Sequence, residues 1–269
     1  MELIKAIILG LVQGLSEFLP ISSSGHLVIF AEILNFHEEG IAFEVFVHFG
    51  TLLSVLLAFR KEIIKMIKAP FAIWINKSTD PELKEFLNWD YYVIIATIPA
   101  VIIGFTLKDP IEELFSNILL VFFSLLVTAT LMITAQFLKF RNKDLSYGRS
   151  LLIGIAQAFA ILPGISRSGS TIFVGMSLGI DREKIARFSF IMSLPAVFGA
   201  TILKLKDIID MPPASSEILN LIAGTIVAFV SGYFAIIWLL DIVKKGKLQI
   251  FGYYCLAVSI SGLLWYFTR

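Results

Sequence analysis

The 269-residue chain is 57% hydrophobic and only 16% charged, with a formal net charge of +1 and a mean hydropathy of +0.86. Soluble domains run near about 45–50% apolar and about 25% charged, so a water-soluble fold is excluded, and a near-neutral chain gives no ground for a nucleic-acid partner. The expected class is one all-α integral membrane domain spanning 1–269, because helices satisfy every backbone group internally in lipid.

The first segment, about 2–34, is apolar but interrupted by Pro20, Ser22, Ser23, Ser24 and Gly25. Neither half comfortably crosses a hydrocarbon core of about 30 Å, which takes roughly 20 residues. The pattern predicts a re-entrant hairpin that enters and leaves on one side. The segment carries Glu17 and no small-residue cleavage site, so it reads as mature protein rather than a signal peptide. A crossing is expected at 42–59, then a polar loop over Arg60 to Asn88, then crossings at 89–107 and 116–138. The segment 150–180, broken between Pro163 and Gly169, predicts a second re-entrant hairpin. Crossings at 185–204, 217–240 and 249–268 complete six transmembrane helices plus two re-entrant helical hairpins. Pro99 and Pro195 read as kinks. Trp89, Tyr91, Tyr92, Tyr253 and Trp265 read as interface anchors near span ends. The one cysteine, Cys255, excludes internal disulfides and reads as packing.

Charge orients this topology. The connections at 60–88, 139–149, 180–187 and 241–248 hold 16 of the 22 Lys and Arg residues, against Lys5, Lys108, Lys204, Lys206 and Arg269 on the other side. The basic side is therefore cytoplasmic and both termini are outside. The outer loops are acidic or neutral, with Glu38, Glu39, Asp109, Glu112, Glu113, Asp207 and Asp210.

A shift of 144 residues aligns Gly10–Gly25 with Gly154–Gly169 at six of 16 positions: Gly10/Gly154, Gln13/Gln157, Ile21/Ile165, Ser22/Ser166, Ser24/Ser168 and Gly25/Gly169. The first hairpin is expected to open outward and the second inward. The halves, about 1–138 and 150–269, then form an inverted repeat, an arrangement that places sites near the midplane between broken helices.

The chemistry concentrates at the two breaks. Gln13 and Glu17 are four apart and share a helix face. A carboxylate in an apolar run is costly and is a functional candidate by default. Beyond Pro20, Ser22, Ser23, Ser24 and Gly25 precede a new helix start, whose N–H groups suit an anion, and His26 adds an imidazole for proton transfer. The second break holds Ser166, Arg167, Ser168, Gly169 and Thr171. Arg167 stays charged and matches phosphate oxygens. The competing reading of Arg167 is a purely structural ion pair with Glu17 and no ligand; such a pair can also form before ligand arrives and open when it does. His48 reads as packing within its crossing, though it can approach the site; His37 reads as solvated; Glu44 reads as a residue of the outer entrance. An anion site with a carboxylate, an imidazole and hydroxyls suits phosphoryl transfer.

These residues resemble the undecaprenyl-diphosphate phosphatases of the bacitracin-resistance family, over essentially the whole length. The motifs are Gln13 to Pro20, Ser22 to His26, and Pro163 to Thr171. The family's acidic motif is Glu or Gln, three residues, then Glu; Gln13 and Glu17 fit the Gln version. The resemblance implies removal of the terminal phosphate from undecaprenyl diphosphate in a bacterial plasma membrane, which recycles a cell-wall lipid carrier and is linked to bacitracin resistance. It also implies a divalent cation, Mg²⁺ or Ca²⁺, and a site open to the outer face. The mechanism expected on that basis has Glu17 with Gln13 on the cation, and Arg167 on phosphate oxygens. Ser23 or a water attacks phosphorus, with Ser22 or His26 as alternative nucleophiles, and His26 transfers the proton. Ser22, Ser24, Gly25, Ser166, Ser168, Gly169 and Thr171 contact the substrate. The competing expectation is a carrier that moves polyprenyl phosphate between leaflets. A homodimer is left open.

Overall fold

The structure is a computed structural model that describes residues 2–34, 36, 41–115, 117–138, 141–210, 212–213 and 217–268. His37, Glu38, Glu39, Lys139 and Arg269 lie outside the described residues, as do the side chains of Lys108, Asp109, Glu112, Lys204, Lys206, Asp207 and Asp210. The elements are α1 (Glu2–Phe18), α2 (Ser23–Leu34), α3 (Ile41–Ala58), α4 (Arg60–Pro70), α5 (Pro81–Thr106), α6 (Lys108–Phe115), α7 (Ile118–Thr134), α8 (Tyr147–Phe159), α9 (Arg167–Ser177), α10 (Arg182–Asp210), α11 (Ile218–Lys244) and α12 (Gln249–Thr268).

Among the described residues five helical spans are long and apolar enough to cross a membrane: Pro81–Thr106, Ile118–Phe137, Arg182–Leu203, Ile218–Lys244 and Gln249–Thr268. A sixth is reached if α3 and the helix that follows it, bent by 78° at their break, count as one span. The outward faces are apolar. On α5 alone Ile94, Ile98, Ile102 and Phe105 are exposed at helical spacing. Such stripes are untenable in water and natural against lipid, so the chain is built as a multi-pass membrane protein.

Two sequence expectations change. The stretch Arg60 to Asn88 is not a loop: α4 occupies its first part, a π-helical turn follows at Phe71–Ile75, and α5 begins at Pro81. Here α4 is amphipathic, burying Met66 and Ala69 while its charges face outward. Asp80 caps α5, accepting from the N–H of Glu82 at 2.9 Å, and Pro81 fits the first helical position. Because α5 starts early, Trp89 is not at a span end. It is buried and packs edge-to-face on Phe188, with ring centroids 5.6 Å apart.

The four basic connections lie at one end of the bundle and are tied by ion pairs. Arg187 pairs with Glu62 and Glu183 at 2.8 Å, Lys244 pairs with Glu183 at 3.2 Å, and Lys184 pairs with Glu85 at 3.1 Å and Asp144 at 3.0 Å. The grouping made from charge is thus a spatial one.

Helix packing exchanges partners between the halves. From the first broken segment α1 packs on α11, and from the second α8 packs on α5. Aligned glycines make the equivalent contacts: Gly10 abuts Gly224 of α11, and Gly154 abuts Ala96 of α5. Gly14 continues the first seam, where an added Cβ would lie 2.6 Å from the Ala228 carbonyl and 2.9 Å from the Gly232 nitrogen. Backbone cannot yield as a flexible side chain does. Gly14→Val should therefore lower stability by about 1–3 kcal/mol or more, read as a fall in the thermal midpoint in detergent. Gly148→Ala, where a Cβ meets nothing within 4 Å, is the neutral control.

Candidate active site

Each broken segment turns at its proline and restarts under a serine cap. Ser22 accepts from the N–H of Gly25 at 3.3 Å, and Ser166 accepts from the N–H of Gly169 at 3.1 Å. The hydroxyls of Ser22 and Ser24 lie 3.3 Å apart, as do those of Ser166 and Ser168. The two turns differ in backbone. Gly164 takes φ 93° in the second, whereas in the first the left-handed position is Ser22 itself, at φ 70°. A non-glycine residue there carries strain of order 1 kcal/mol or more. On α7, Thr128 braces the second turn, accepting from the N–H of Ser166 at 3.0 Å and donating to the Gly164 carbonyl at 2.9 Å.

Between these turns sits Glu17, 8% exposed. Its two oxygens have different company. Oε1 is bound by Arg167 Nη2. Oε2 accepts from Ser23 Oγ at 2.6 Å and Gln13 Nε2 at 2.9 Å, and faces His48 Nε2 at 3.8 Å. Four elements, α1, α2, α3 and α9, therefore meet on one carboxylate. Ser23 and Arg167 occupy equivalent positions in the repeat, and both reach it. Two buried polar atoms on its immediate partners lack any hydrogen bond: Gln13 Oε1, an acceptor, and Arg167 Nη1, a donor. Buried polar groups are nearly always satisfied, so Gln13 Oε1 and Arg167 Nη1 stand as a free acceptor and a free donor beside one carboxylate.

Other named residues stand apart from Glu17. His26 is buried; its Nδ1 donates to the Ser22 carbonyl at 2.8 Å, and its Nε2 accepts from the Tyr254 hydroxyl at 2.8 Å. Thr171 bonds Ser189 at 2.6 Å and donates to the Arg167 carbonyl at 2.8 Å. Ser168 donates to the Leu19 carbonyl at 3.4 Å, linking the two turns. Gly25 and Gly169 spend their N–H groups on the caps. His48, read from sequence as packing, is instead at the cluster, because α3 packs along α1 and α11 with this turn facing Glu17. Cys255 is buried in the core as expected.

The family described as Bacitracin resistance protein BacA matches residues 6–261. The chain belongs to the BacA family. Relatives named Undecaprenyl-diphosphatase include one from Halothermothrix orenii, 43% identical over 264 residues (97% of this chain and 96% of the relative). One from Methanobrevibacter smithii is 44% identical over 270 residues, covering 97% of this chain and 96% of the relative. One from Christiangramia forsetii is 40% identical over 275 residues, covering both chains in full.

Within this BacA-family chain, sequence reading passed over Tyr254. It follows Tyr253 in an apolar helix, and only the approach of α12 to α2 gives it a partner. Its ring stacks on His26 at 5.5 Å and an interplanar angle of 15°. Tyr254→Phe removes the hydroxyl and keeps the stack. A neutral hydrogen bond of this kind is worth about 0.5–1.5 kcal/mol. Phosphate release should fall about 3- to 10-fold if His26 serves the transition state. An unchanged rate would assign the contact to packing alone.

Proposed function

We propose that the chain hydrolyses undecaprenyl diphosphate to undecaprenyl phosphate and phosphate, at the junction of its two hairpins. The observation that carries this is the Glu17–Arg167 pair with its two orphaned neighbours, Gln13 Oε1 and Arg167 Nη1. In that pair each side chain neutralises the other's buried charge. A diphosphate would compete for the arginine, and a cation would compete for the carboxylate. The donors present fit a divalent ion: a carboxylate oxygen, an unpartnered amide oxygen and an imidazole nitrogen within 3.8 Å of that carboxylate. Held by Glu17, Gln13 and His48, such an ion would supply charge neutralisation for the diphosphate.

The residues themselves do the following. Arg167 turns both Nη groups to phosphate oxygens, with the first-turn N–H groups of α2 and α9 beside it. Ser23, whose hydroxyl already donates to Glu17 at 2.6 Å, attacks the terminal phosphorus as its proton passes to that carboxylate. The bond to the bridging oxygen breaks, and undecaprenyl phosphate leaves with the electron pair. Water then hydrolyses the phosphoserine. His26 is less well placed to take the serine proton, since its Nε2 is engaged by Tyr254. Direct attack by water on phosphorus is the variant in which no phosphoserine is trapped.

The membrane setting is part of the proposal. The chain makes six crossings with two re-entrant hairpins as an inverted repeat, both termini outside, and the diphosphate enters from the outer leaflet. Support comes from the exchanged packing of α1 on α11 and α8 on α5, and from the basic connections gathered at one end. The prenyl chain stays in the bilayer, with an apolar groove of about 560 Å³ available beside the second turn, lined by Leu131, Ile155, Phe159, Ile165 and Val174. The same two-fold packing suits a carrier for polyprenyl phosphate. A carrier, however, has no use for a serine held against a carboxylate. The test is phosphate release from undecaprenyl diphosphate by the purified protein in detergent with added divalent cations. Release supports the hydrolase; none under any cation overturns it.

A further inference from the structure

The oxygens of Glu17 divide the site. Oε1 faces Arg167, the anion side. Oε2 faces Gln13, Ser23 and His48. His48 is held in a particular tautomer. Its Nδ1 lies 2.8 Å from the Glu44 carbonyl one turn earlier in α3. A carbonyl only accepts, so Nδ1 carries a proton, and the neutral ring then presents the Nε2 lone pair. This is how metal-binding histidines are oriented: one ring nitrogen donates to a carbonyl while the other is presented to the ion. His48 Nε2 stands 3.8 Å from Glu17 Oε2. That is too long for a hydrogen bond and shorter than the about 4.2 Å spanned by two metal–ligand bonds of about 2.1 Å. His26 shows the contrast: its Nδ1 is fixed in the same way, but its Nε2 is already taken by Tyr254. The His48 side chain is 25% exposed, so its ring borders open space while Glu17 is enclosed.

We infer that His48 is a nitrogen ligand of the divalent cation at Glu17, and that the site consequently binds divalent transition ions, for which Mn²⁺ is the spectroscopic probe, more tightly than Mg²⁺ or Ca²⁺. Imidazole suits transition ions, whereas Mg²⁺ and Ca²⁺ prefer oxygen. Among the described residues no three His, Cys, Asp or Glu side chains converge. The protein set is therefore Glu17, His48 and the amide oxygen of Gln13. The remaining positions fall to diphosphate oxygens and water. The imidazole supplies here what the neutral amide at position 13 lacks as a donor. This assignment rests on the cation-dependent reading of the site, but its test needs no turnover.

The test loads the full-length protein in nanodiscs with Mn²⁺ alone and records electron spin-echo modulation. Histidine nitrogen coupling is expected, with the frequencies changing when histidine is ¹⁵N-labelled. The coupling should vanish in His48→Gln and persist in His26→Gln. Titration should show Mn²⁺ binding at least tenfold weaker in His48→Gln, and Mg²⁺ weaker than Mn²⁺ in the unaltered protein. Mn²⁺ bound without histidine coupling, coupling that survives His48→Gln, or no Mn²⁺ binding at all would overturn the assignment. The labelled native protein keeps the test valid even if the variant misfolds. Loss of phosphate release with intact histidine coupling would fail the hydrolase reading alone.

Discussion

Glu17→Gln should lower phosphate release by about a thousandfold or more, an increase of about 4 kcal/mol in the barrier. The substitution keeps the shape of the side chain and removes its charge. Three functions go with it. The Ser23 hydroxyl loses the acceptor that takes its proton, the cation loses its only anionic protein ligand in the set proposed here, and Arg167 loses its resting partner. The loss should appear mainly in kcat, because the first two act on charge that develops in the transition state. Folding is affected as well. The carboxylate side chain is 7% exposed and the guanidinium 21%. Removing one member of a buried pair costs about 3–5 kcal/mol, and the partly exposed arginine places the cost at or below the lower end. Thermal unfolding therefore accompanies the kinetic measurement. A folded Glu17→Gln protein that retains more than about a tenth of the activity would remove Glu17 from the mechanism.

Arg167→Ala should produce a loss of about 10³- to 10⁵-fold, the range seen where an arginine neutralises a transferring phosphoryl group. Here the variant leaves Glu17 with Ser23, Gln13 and His48 as partners, so the carboxylate is still hydrogen-bonded. Destabilisation should be smaller than the kinetic loss implies. Arg167→Lys separates charge from geometry. A lysine keeps the charge but offers one ammonium in place of a planar fork, so it should recover only part of the rate. Inorganic phosphate raises the thermal midpoint of the native protein by mass action if it binds the site. That rise should disappear in Arg167→Ala. Equal stabilisation of both proteins by phosphate would place the anion site elsewhere.

The membrane class, the long apolar helices and both breaks were legible in the sequence, because they depend on composition and local backbone preference. Long apolar runs cannot be hidden in water. Pro20 and Pro163 lack the N–H a helix needs, and Ser22 and Ser166 are strong caps. Gln13 and Glu17 share a face by periodicity alone, and Arg167 announced itself as a charge with no local partner. The stretch after Arg60 was misread because its charges suggest a loop, while Met66 and Ala69, three apart, form the buried side of α4.

Which imidazole meets Glu17 was a different kind of question. His26 is close in sequence to the serines, and His48 lies on another helix. Proximity along the chain favoured the first, but the rotation of α2 turns His26 toward Tyr254, and the packing of α3 turns His48 toward the carboxylate. The same holds for Thr171, directed to Ser189 by the approach of α10, and for Ser168, directed to the Leu19 carbonyl. Sequence by itself determined that this is a helical membrane protein with two related polar breaks, an acidic residue in one and a basic residue in the other. Only the tertiary structure decided that the breaks meet, that Ser23 and Arg167 converge on opposite oxygens of Glu17, and which polar atoms remain unpaired there. The physical reason is that periodicity fixes which residues share a helix face, while the angle at which helices cross fixes what that face meets.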